Sequence, residues 1–530
     1  MKLKTLSTAI LLATVPMTGV FAAAMDRSGQ SISAFLQPGN YFEAGISVLD
    51  PTVSGKEAGE TTSRNTISDM ADDYYFPSAA LKFQVTNKFS FGLLYDQPFG
   101  AAAEYSGDNA FVSKLTDTVL PQSTLNGLVT SQVQSALATG SKQISDALSG
   151  SNTPLQSYDQ LTDVQIVTAG VASQLIEAGL APTNPAFAAT LNAQVTGLIT
   201  QAGGVDQAKQ VILDGAQQKG NAALATQLAA LGADQLGVGN TKVTVDTQNL
   251  TFLFGYQPTE NWNIYAGPVY QTVKGNVSLR GQAYSIYNGY DAQIKETGDV
   301  GWLAGLAYQI PDIALKASLT YRSEIDHSTD VTETFSGGLN AIALLGGNPA
   351  DITSSPGKTT ITTPQSVNLD FQTGIMANTV AFANVRWVEW SKFGIRPYQF
   401  GKLSEEIGGL QSVNRPNGFD LVSYSDDQIS ATVGVGRKLS EQWAGNVSVG
   451  WDSGAGNPVS TLGPTEGYWN LGLGLQFSPT PATFIAGGVK YFWLGDAKSQ
   501  TAAQYGENRI VGEFEENDAW GYGLKMGYRF

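Results

Sequence analysis

The chain has 530 residues, of which 42% are hydrophobic and only 14% are charged, with 59 glycines and no cysteine. Soluble domains carry about 25% charged residues, yet beyond residue 24 the sequence has no uninterrupted apolar stretch of the ~20 residues that a spanning helix needs. A net charge of −16 disfavours nucleic acid as a partner. The lack of cysteine and the single histidine exclude disulfide scaffolds and thiolate or multi-histidine metal sites. The composition favours an all-β fold, a transmembrane antiparallel β-barrel.

The first residues form an export signal. Lys2 and Lys4 precede an apolar stretch over residues 6–15, and small residues follow at 20–24. This order is typical of a secretory signal peptide and is too short for a membrane anchor. We predict a signal peptide over residues 1–23.

The last segment carries the strongest strand signal. Residues 518–530 alternate strictly, with Gly521, Gly523, Lys525, Gly527 and Arg529 at the odd positions. The even positions hold Trp520, Tyr522, Leu524, Met526, Tyr528 and Phe530. Such alternation separates a lipid-facing side from a lumen-facing side. A terminal Phe also matches the signal that the barrel insertion machinery recognises in bacterial barrels, which makes that machinery an expected partner through Phe530.

Similar alternation recurs along the chain and predicts about fourteen strands between residues 41 and 530. Short connections, such as residues 86–88 and 377–378, alternate with long ones, such as 50–73, 273–298 and 326–364. Short periplasmic turns alternating with long external loops are typical of bacterial outer-membrane barrels. The predicted location is therefore the outer membrane, crossed many times.

Several segments resemble the long-chain fatty acid transporters of the bacterial outer membrane (FadL-like), a family that includes importers of aromatic hydrocarbons. Residues 41–51 resemble its first strand with a terminal Asp-Pro, and residues 321–324 resemble its Tyr-Arg-Ser. Residues 363–367 resemble its Pro-x-Ser, and residues 387–393 its Trp-Ser-x-Phe. The resemblance implies a fourteen-stranded barrel with an N-terminal hatch, usually monomeric, in which external loops capture lipophilic substrates that leave sideways at a kinked third strand.

The stretch 96–105 is the candidate third strand, with Pro98, Gly100 and Ala101 as the lateral-opening kink. Proline cannot donate a ladder hydrogen bond, and glycine within a strand marks a bulge or bend. The alternative is a rim bulge before a long loop. Phe99, in the same stretch, is assigned as a substrate contact.

Only residues 24–40 precede the first strand, and they are predicted to form a short N-terminal plug. The family hatch is longer and contains an Asn-Pro-Ala segment that this chain lacks. The start of the segment still resembles the Ser- and Gly-rich beginning of that hatch.

Residues 106–240 differ from the rest, being rich in Ala, Gln, Leu, Ser and Thr with apolar residues at helical spacing. Gly203-Gly204 and Pro182 to Pro185 break the segment into separate helices. We predict a helical extracellular loop inserted after the third strand. Its apolar stripes could form a groove for apolar molecules, or could bury one another in a compact lid.

Inward-facing cations are candidate partners for a fatty acid carboxylate, and we select Lys316, Arg322 and Arg386 as substrate-binding residues. The alternative is a structural network of ion pairs, in which Glu324 neutralises Arg322. His327 beside Ser328 could suggest an esterase pair, but neighbouring strand residues face opposite sides. We predict no enzyme activity, no cofactor and no metal.

The predicted function is passive transport of hydrophobic compounds, most of all long-chain fatty acids, across the outer membrane. The alternatives are a general diffusion porin, or an adhesin or receptor barrel that binds its partner through the helical loop. Outer-membrane lipid and lipopolysaccharide are the expected surroundings, since the acidic external loops suit bridging divalent cations.

Overall fold

The computed structural model describes residues 25–59, 64–114, 122–230, 238–336, 338–344, 347–353, 357–409, 415–504 and 509–530. The predicted signal peptide lies outside the described residues. Two compact units are present: one comprises residues 115–236 with 337–344, and the other comprises the remainder of the chain.

The larger unit is a closed antiparallel barrel of fourteen strands, as the alternation predicted. Its strands are β1 (Tyr41–Thr52), β2 (Tyr74–Gln84), β3a (Phe89–Asp96) continued by β3b (Gly100–Glu104), β4 (Lys242–Tyr256), β5 (Trp262–Leu279), β6 (Tyr290–Ile310), β7a (Leu315–Arg322) continued by β7b (Ile325–Phe335), β8a (Lys358–Thr363) continued by β8b (Ser366–Met376), β9 (Thr379–Val388), β10 (Gln428–Lys438), β11 (Trp443–Asp452), β12 (Tyr468–Thr480), β13 (Thr483–Leu494) and β14 (Asp518–Arg529). The barrel closes where β1 pairs with β14, from Tyr41 opposite Arg529 to Thr52 opposite Asp518.

Side chains alternate between the two faces of the wall. On β12 the outward residues Trp469, Leu471, Leu473 and Leu475 are exposed, whereas the inward residues Asn470 and Gln476 are buried. Outward aromatics form two bands, with Trp451, Trp469 and Trp493 opposite one another in register at one level. Phe89 opposite Tyr256 and Trp443 opposite Phe477 stand near the other ends of their strands. Such aromatic girdles border the apolar band of a transmembrane barrel.

Two strands are longer than the sequence indicated. The stretch 273–298 was expected to be a loop, but β5 continues to Leu279 and β6 begins at Tyr290. In this part of β5 the inward residues Val273 and Val277 are buried and the outward residues Lys274 and Asn276 are exposed. A strand that continues past the lipid needs no apolar outward face, so its alternation has polar residues outside and apolar residues inside, the reverse of a lipid-facing strand. The strands β7b and β8a also lie within the expected loop 326–364.

Short strands and helices in the connections complete this unit. The strands Gly55–Glu57, Thr66–Ile67, Val459–Ser460, Ala497–Gln500 and Gly512–Phe514 form a small sheet, Val112–Ser113 pairs with Gly239–Asn240, and Gly394–Ile395 pairs with Val422–Ser423. Helices within the described connections are Pro349–Thr353 and Tyr398–Gly408.

The smaller unit is helical. It contains α1 (Gln122–Ser149), α2 (Asp163–Glu177), α3 (Phe187–Ala202) and α4 (Val205–Ala230), with a short helix at Gly338–Leu344. The buried apolar residues of α1 to α4, including Leu137, Val167, Leu191 and Ile212, form one cluster. Thr162 begins α2 with a capping box completed by Gln165, and Gly203 ends α3 in a left-handed conformation. The apolar stripes therefore bury one another. The placement of this insertion outside the cell stays a prediction.

None of the described helices combines the length and apolar character needed to cross a membrane.

Candidate functional site

Residues 25–40, here called the N-terminal segment, contact inward-facing side chains from several strands. Ile32, Phe35 and Leu36 of the segment belong to a buried cluster with Tyr265 and Leu303 from β5 and β6. Lys82 of β2 donates to the carbonyl oxygen of Gln37 at 2.5 Å. The segment is thus anchored both by apolar packing and by buried polar contacts.

Arg386 of β9 makes the central polar contact. Its Nε lies 2.6 Å from Oδ2 of Asp26 in the N-terminal segment, and each residue is only 2% exposed. The same guanidinium donates to Oε1 of Gln30 at 3.0 Å and to Oδ1 of Asn368 at 2.7 Å. Removing one partner of a buried ion pair leaves the other charge buried without compensation, which lowers the free energy of unfolding by about 3–5 kcal/mol. Asp26 therefore ties the start of the segment to the wall.

The two other predicted cations also contact this segment. Nζ of Lys316 donates to the carbonyl oxygen of Leu36 at 2.8 Å, and Nη2 of Arg322 donates to the carbonyl oxygen of Gln30 at 2.7 Å. Within the described ranges, Nε and Nη1 of Arg322 are buried and have no hydrogen-bond acceptor. Glu324 is exposed whereas Arg322 is buried, because the inward side of the strand switches between Arg322 and Ile325. Arg322 is thus the predicted cation that retains donors for another group.

The third strand is interrupted where the kink was predicted. Asp96 stands opposite Asn249 and Gly100 opposite Asp246, so three residues of the third strand face two residues of β4. One extra residue is the definition of a β-bulge, and it switches which positions point inward. On β3a the inward residues are Leu94 and Asp96, and on β3b Ala103 is inward.

The bulge coincides with a gap in the wall between β2 and the third strand. Within the described ranges, their ladder ends at Ala79 opposite Tyr95. Residues 74–78 of β2 lie beyond the end of this ladder and pair with β1 on the other side of the strand. The hydroxyl of Tyr74 then donates to the carbonyl oxygen of Ala102 at 2.6 Å and so bridges the gap at its far end.

The N-terminal segment fills this gap. The amide of Arg27 donates to the carbonyl oxygen of Pro98 at 2.7 Å, and the amide of Gly100 donates to the carbonyl oxygen of Met25 at 2.9 Å. The guanidinium carbon of Arg27 lies 3.5 Å from the centre of the Tyr74 ring. A Cβ at Gly100 would lie 2.6 Å from Nη1 of Arg27, so only glycine admits this guanidinium. Sequence reasoning missed Arg27 because its charge lies on a segment without strand or helix periodicity.

An apolar cavity opens beside the gap. About 860 Å³ of space free of atoms lies within it, open solvent at its mouth included. Its lining includes Ala101 and Ala103 of β3b, Val243 and Val245 of β4, Leu49, Met70, Arg27, Tyr74, and the loop residues Leu421, Tyr424 and Leu462. Asp26 and Arg27 are the charged residues of this lining, and Asp26 is already paired with Arg386. A mostly apolar wall of this kind suits a molecule that is mostly hydrocarbon.

Phe99 supports the wall next to this cavity. It is buried, and its ring centre lies 5.4 Å from that of Trp390 in an edge-to-face arrangement. Trp390 in turn contacts Tyr424, at 5.2 Å between ring centres, and donates its indole proton to Gln428 at 2.8 Å. Phe99 therefore packs behind the cavity lining, and its role as a substrate contact stays a prediction.

A second cavity, with a mixed polar and apolar lining, lies along β1, β2 and β3a, with about 680 Å³ of space free of atoms when open solvent is included. Ser28, Ser31, Ser33, Glu43, Ser47 and Asp96 contribute to its lining. The hydroxyl of Ser28 donates to Asp96 at 2.5 Å, which links the N-terminal segment to the bulge. His327 lies elsewhere, buried on β7b with its Nε2 3.0 Å from Oε1 of Gln271. Among the described residues no group of three or more His, Asp or Glu is placed to hold a metal ion.

The family model described as outer membrane protein transport protein (OMPP1/FadL/TodX) matches residues 214–530. A crystal structure of a Pseudomonas aeruginosa FadL homologue is similar to the chain with a TM-score of 0.55 and 12% identity, over 99% of this chain and 98% of the other. The Pseudomonas putida toluene transporter TodX gives a TM-score of 0.46 at 10% identity, over 97% and 96% of the two chains. The Ralstonia pickettii toluene transporter TbuX gives 0.45 at 11% identity, over 98% and 97%. No curated protein sequence matches the chain.

Proposed function

The chain belongs to the OMPP1/FadL/TodX family of outer-membrane transport proteins, and on that premise we propose that it imports long-chain fatty acids, or molecules of similar hydrophobicity, without an energy source of its own. The family consists of transport proteins rather than enzymes. The observation that carries the proposal is the apolar cavity beside the β2–β3 gap.

Burial of apolar surface supplies the driving force for capture. Each buried CH₂ contributes about 0.8 kcal/mol, so a long acyl chain gains several kcal/mol on leaving water for the cavity. A small polar solute gains nothing there. This difference makes the cavity selective for chain length and hydrophobicity.

Release is proposed to occur sideways, between β2 and the third strand. The ladder between β2 and β3a ends before the gap, so release must break the backbone hydrogen bonds that join the N-terminal segment to Pro98 and Gly100. The small residues Gly100 and Ala101 leave space beside the opening. Arg27 occupies the gap, so lateral release requires this side chain to move. Pro98, Gly100 and Ala101 are the residues assigned to the opening.

Lys316, Arg322 and Arg386 are proposed as contacts for an ionised head group. Lys316 and Arg386 hold the N-terminal segment through Leu36 and Asp26, so a carboxylate reaches them only by replacing those contacts. Arg322 retains two buried donors and can donate them to a carboxylate while the N-terminal segment stays in place.

Uptake in cells that lack the chain, with and without a plasmid copy, tests the proposal. Labelled long-chain fatty acid and labelled toluene are supplied separately at equal concentration. We expect the plasmid copy to restore fatty acid uptake. If only toluene uptake is restored, the proposed substrates become aromatic hydrocarbons. If neither fatty acid nor toluene uptake is restored, the proposed transport function is contradicted.

A general diffusion porin is the second candidate, favoured by the serine and carboxylate side chains in the lining of the second cavity. A porin predicts steady ion conductance in planar bilayers and uptake of small sugars. A chain that conducts no ions while it restores fatty acid uptake excludes this candidate.

A further inference from the structure

The wall has a second interruption, between β6 and β7. These strands pair as Leu303–Ile310 with Leu315–Arg322, and again as Tyr290–Ile294 with Val331–Phe335. Between the two paired stretches, β6 and β7 do not pair with each other over residues 295–302 and 323–330. The amide of Ser323 donates to the carbonyl oxygen of Trp302 at one end, and the hydroxyl of Thr329 donates to that of Lys295 at the other.

Two bulges at different levels explain this gap. On β6, Lys295 and Glu296 stand opposite the single residue Lys274 of β5. On β7 the inward side switches between Arg322 and Ile325, both of which are buried. Each bulge reverses the facing of the residues beyond it.

Between the bulges the two strands are therefore out of phase. Continuing the register places Val300 opposite Ile325, yet Val300 is 59% exposed and Ile325 only 6%. A pleated ladder needs directly opposite residues on the same face, so the strands stay apart here. The side chain of Ile325 fills the space instead, and a Cβ at Gly301 would lie only 2.5 Å from it.

Ile325 contributes to the lining of a small cleft, with about 270 Å³ of space free of atoms when open solvent at its mouth is included. Its lining comprises Gln30, Phe99, Asn249, Val269, Gln271, Trp302, Arg322, Ser323, Ile325, Thr363 and Pro364. Arg322 and Asn249, both in this lining, carry buried donors without an acceptor among the described residues: Nε and Nη1 of Arg322 and Nδ2 of Asn249. Buried donors without acceptors are costly, so the cavity is suited to an oxygen anion at its inner end.

Trp302 connects the lining of the cavity to the outer surface of the wall. Trp302 contributes to the lining and is 52% exposed, with its ring 5.2 Å from that of Tyr321. An outward Trp of this kind marks the edge of the apolar band, where the head groups of amphiphiles lie. The exposed carboxylates Asp299, Glu324 and Asp326 border the gap and repel an anion that arrives through water.

We propose that the β6–β7 gap is a second lateral opening, through which a single-chain carboxylate amphiphile dissolved in the membrane places its head group on Arg322 and leaves its chain against Ile325 and Trp302. This inference rests on the proposed function for the class of ligand. It adds a binding site and a route on a different part of the wall from the β2–β3 gap.

Because the native chain has no cysteine, a single introduced cysteine reports on one position. Ile325→Cys tests the opening, and Leu303→Cys is the matched control, since Leu303 is equally inward and buried but lies in the intact part of the same strand pair. The full-length variants are reconstituted in phospholipid vesicles and treated with a maleimide on a long alkyl chain. We expect Ile325→Cys to react at least tenfold faster than Leu303→Cys. Equal rates would overturn the second opening.

Protection by added ligand tests the head-group site. Laurate should slow the labelling of Ile325→Cys severalfold, and this protection should be lost when Arg322→Gln is added. Equal protection by dodecane would overturn the role of Arg322, and equal protection by dodecyl phosphate would overturn the preference for a carboxylate. Val269→Cys, in the same cavity lining, replaces Ile325→Cys if the latter fails to insert. The labelling rate is measured in vesicles and does not depend on transport. The second opening can therefore be disproved while fatty acid uptake is observed, and it can be supported while uptake fails.

Discussion

The pair formed by Asp26 and Arg386 joins residues 360 positions apart in the chain. Alternation predicted that Arg386 faces inward, and the residue is indeed buried on the lumen side. Its partner was not predictable, because nothing in the pattern of residues 24–40 indicates which strand each polar group meets. The cations of the lumen were therefore located from sequence, whereas their contacts with the N-terminal segment required the folded chain.

The Asp26–Arg386 pair should control how tightly the N-terminal segment closes the lumen. Asp26→Asn removes the charge but keeps the shape, leaving a buried guanidinium without its ionic partner at a cost of about 3–5 kcal/mol. We expect more frequent open events and higher ion conductance in planar bilayers. Asp351→Asn, at an exposed position of a short connecting helix, is the control. Unchanged conductance in Asp26→Asn would show that the segment is held by other contacts.

Glu466, in the connection between β11 and β12, makes one loop sensitive to pH. Burial raises the pKa of its carboxyl from 4.5 to about 7, and the nearby Asp426 carboxylate adds to the rise. Because the folded pKa lies above the unfolded value, the stability contributed by the neutral carboxyl is complete below about pH 4.5 and is lost as the pH rises through about 7. Hydrogen exchange of residues 453–467 should therefore be slower at pH 5 than at pH 8, after correction for the intrinsic rate.

Glu466→Gln keeps the neutral shape and should remove this pH dependence. Glu441→Gln, in an exposed turn, should leave it as in the native chain. A pH dependence that persists in Glu466→Gln would assign it to another group.

Among the elements, the strands within the lipid were predictable and their extensions were not. An apolar outward face repeats along β12 and β14 because lipid requires it. Beyond the lipid the outward side chains of β5 and β6 become polar and the inward ones are apolar or small, so the alternation has the opposite sense from that of a lipid-facing strand. The bulges at residues 97–99 and 295–296 alter the phase of their strands, and only the first was marked by a proline.

The last strand should depend on its terminal aromatic for assembly rather than for stability. The ring of Phe530 lies 6.0 Å from that of Phe83 and is half exposed. Phe530→Ala and Phe83→Ala both remove this ring pair, but only the first changes the C-terminal signal. We expect a several-fold lower yield of heat-modifiable barrel in the outer membrane for Phe530→Ala only. Equal yields for the two variants would argue against recognition of Phe530 by the insertion machinery.

For the whole molecule, the barrel persists although identity to the Pseudomonas aeruginosa FadL homologue is only 12%. Periodicity rather than residue identity specifies such a wall, since any apolar side chain suits the lipid face. The helical insertion follows a different rule. Its core is formed by its own stripes, which is why its helices could be recognised from spacing while its function could not.

Removal of residues 115–236 should leave a folded barrel. Ser113 pairs with Gly239, so a short glycine–serine turn can join the cut ends. We expect the shortened chain to insert and to keep its heat-modifiable migration on gels. Loss of the folded form would show that the barrel depends on the insertion. Uptake that survives while adsorption of an external partner is lost would favour the receptor hypothesis.

Apolar molecules are proposed to leave the cavity through the β2–β3 gap, and Ala101→Leu would obstruct this route. Ala101 lines the cavity at the opening, and a leucine there narrows the gap without adding charge. Ala381→Leu, in the continuous ladder between β8b and β9, controls for effects of the larger side chain on insertion. At equal surface amounts, we expect the initial rate of long-chain fatty acid uptake to fall at least fivefold in Ala101→Leu and to stay native in Ala381→Leu. A native rate in Ala101→Leu would contradict lateral release at the third strand.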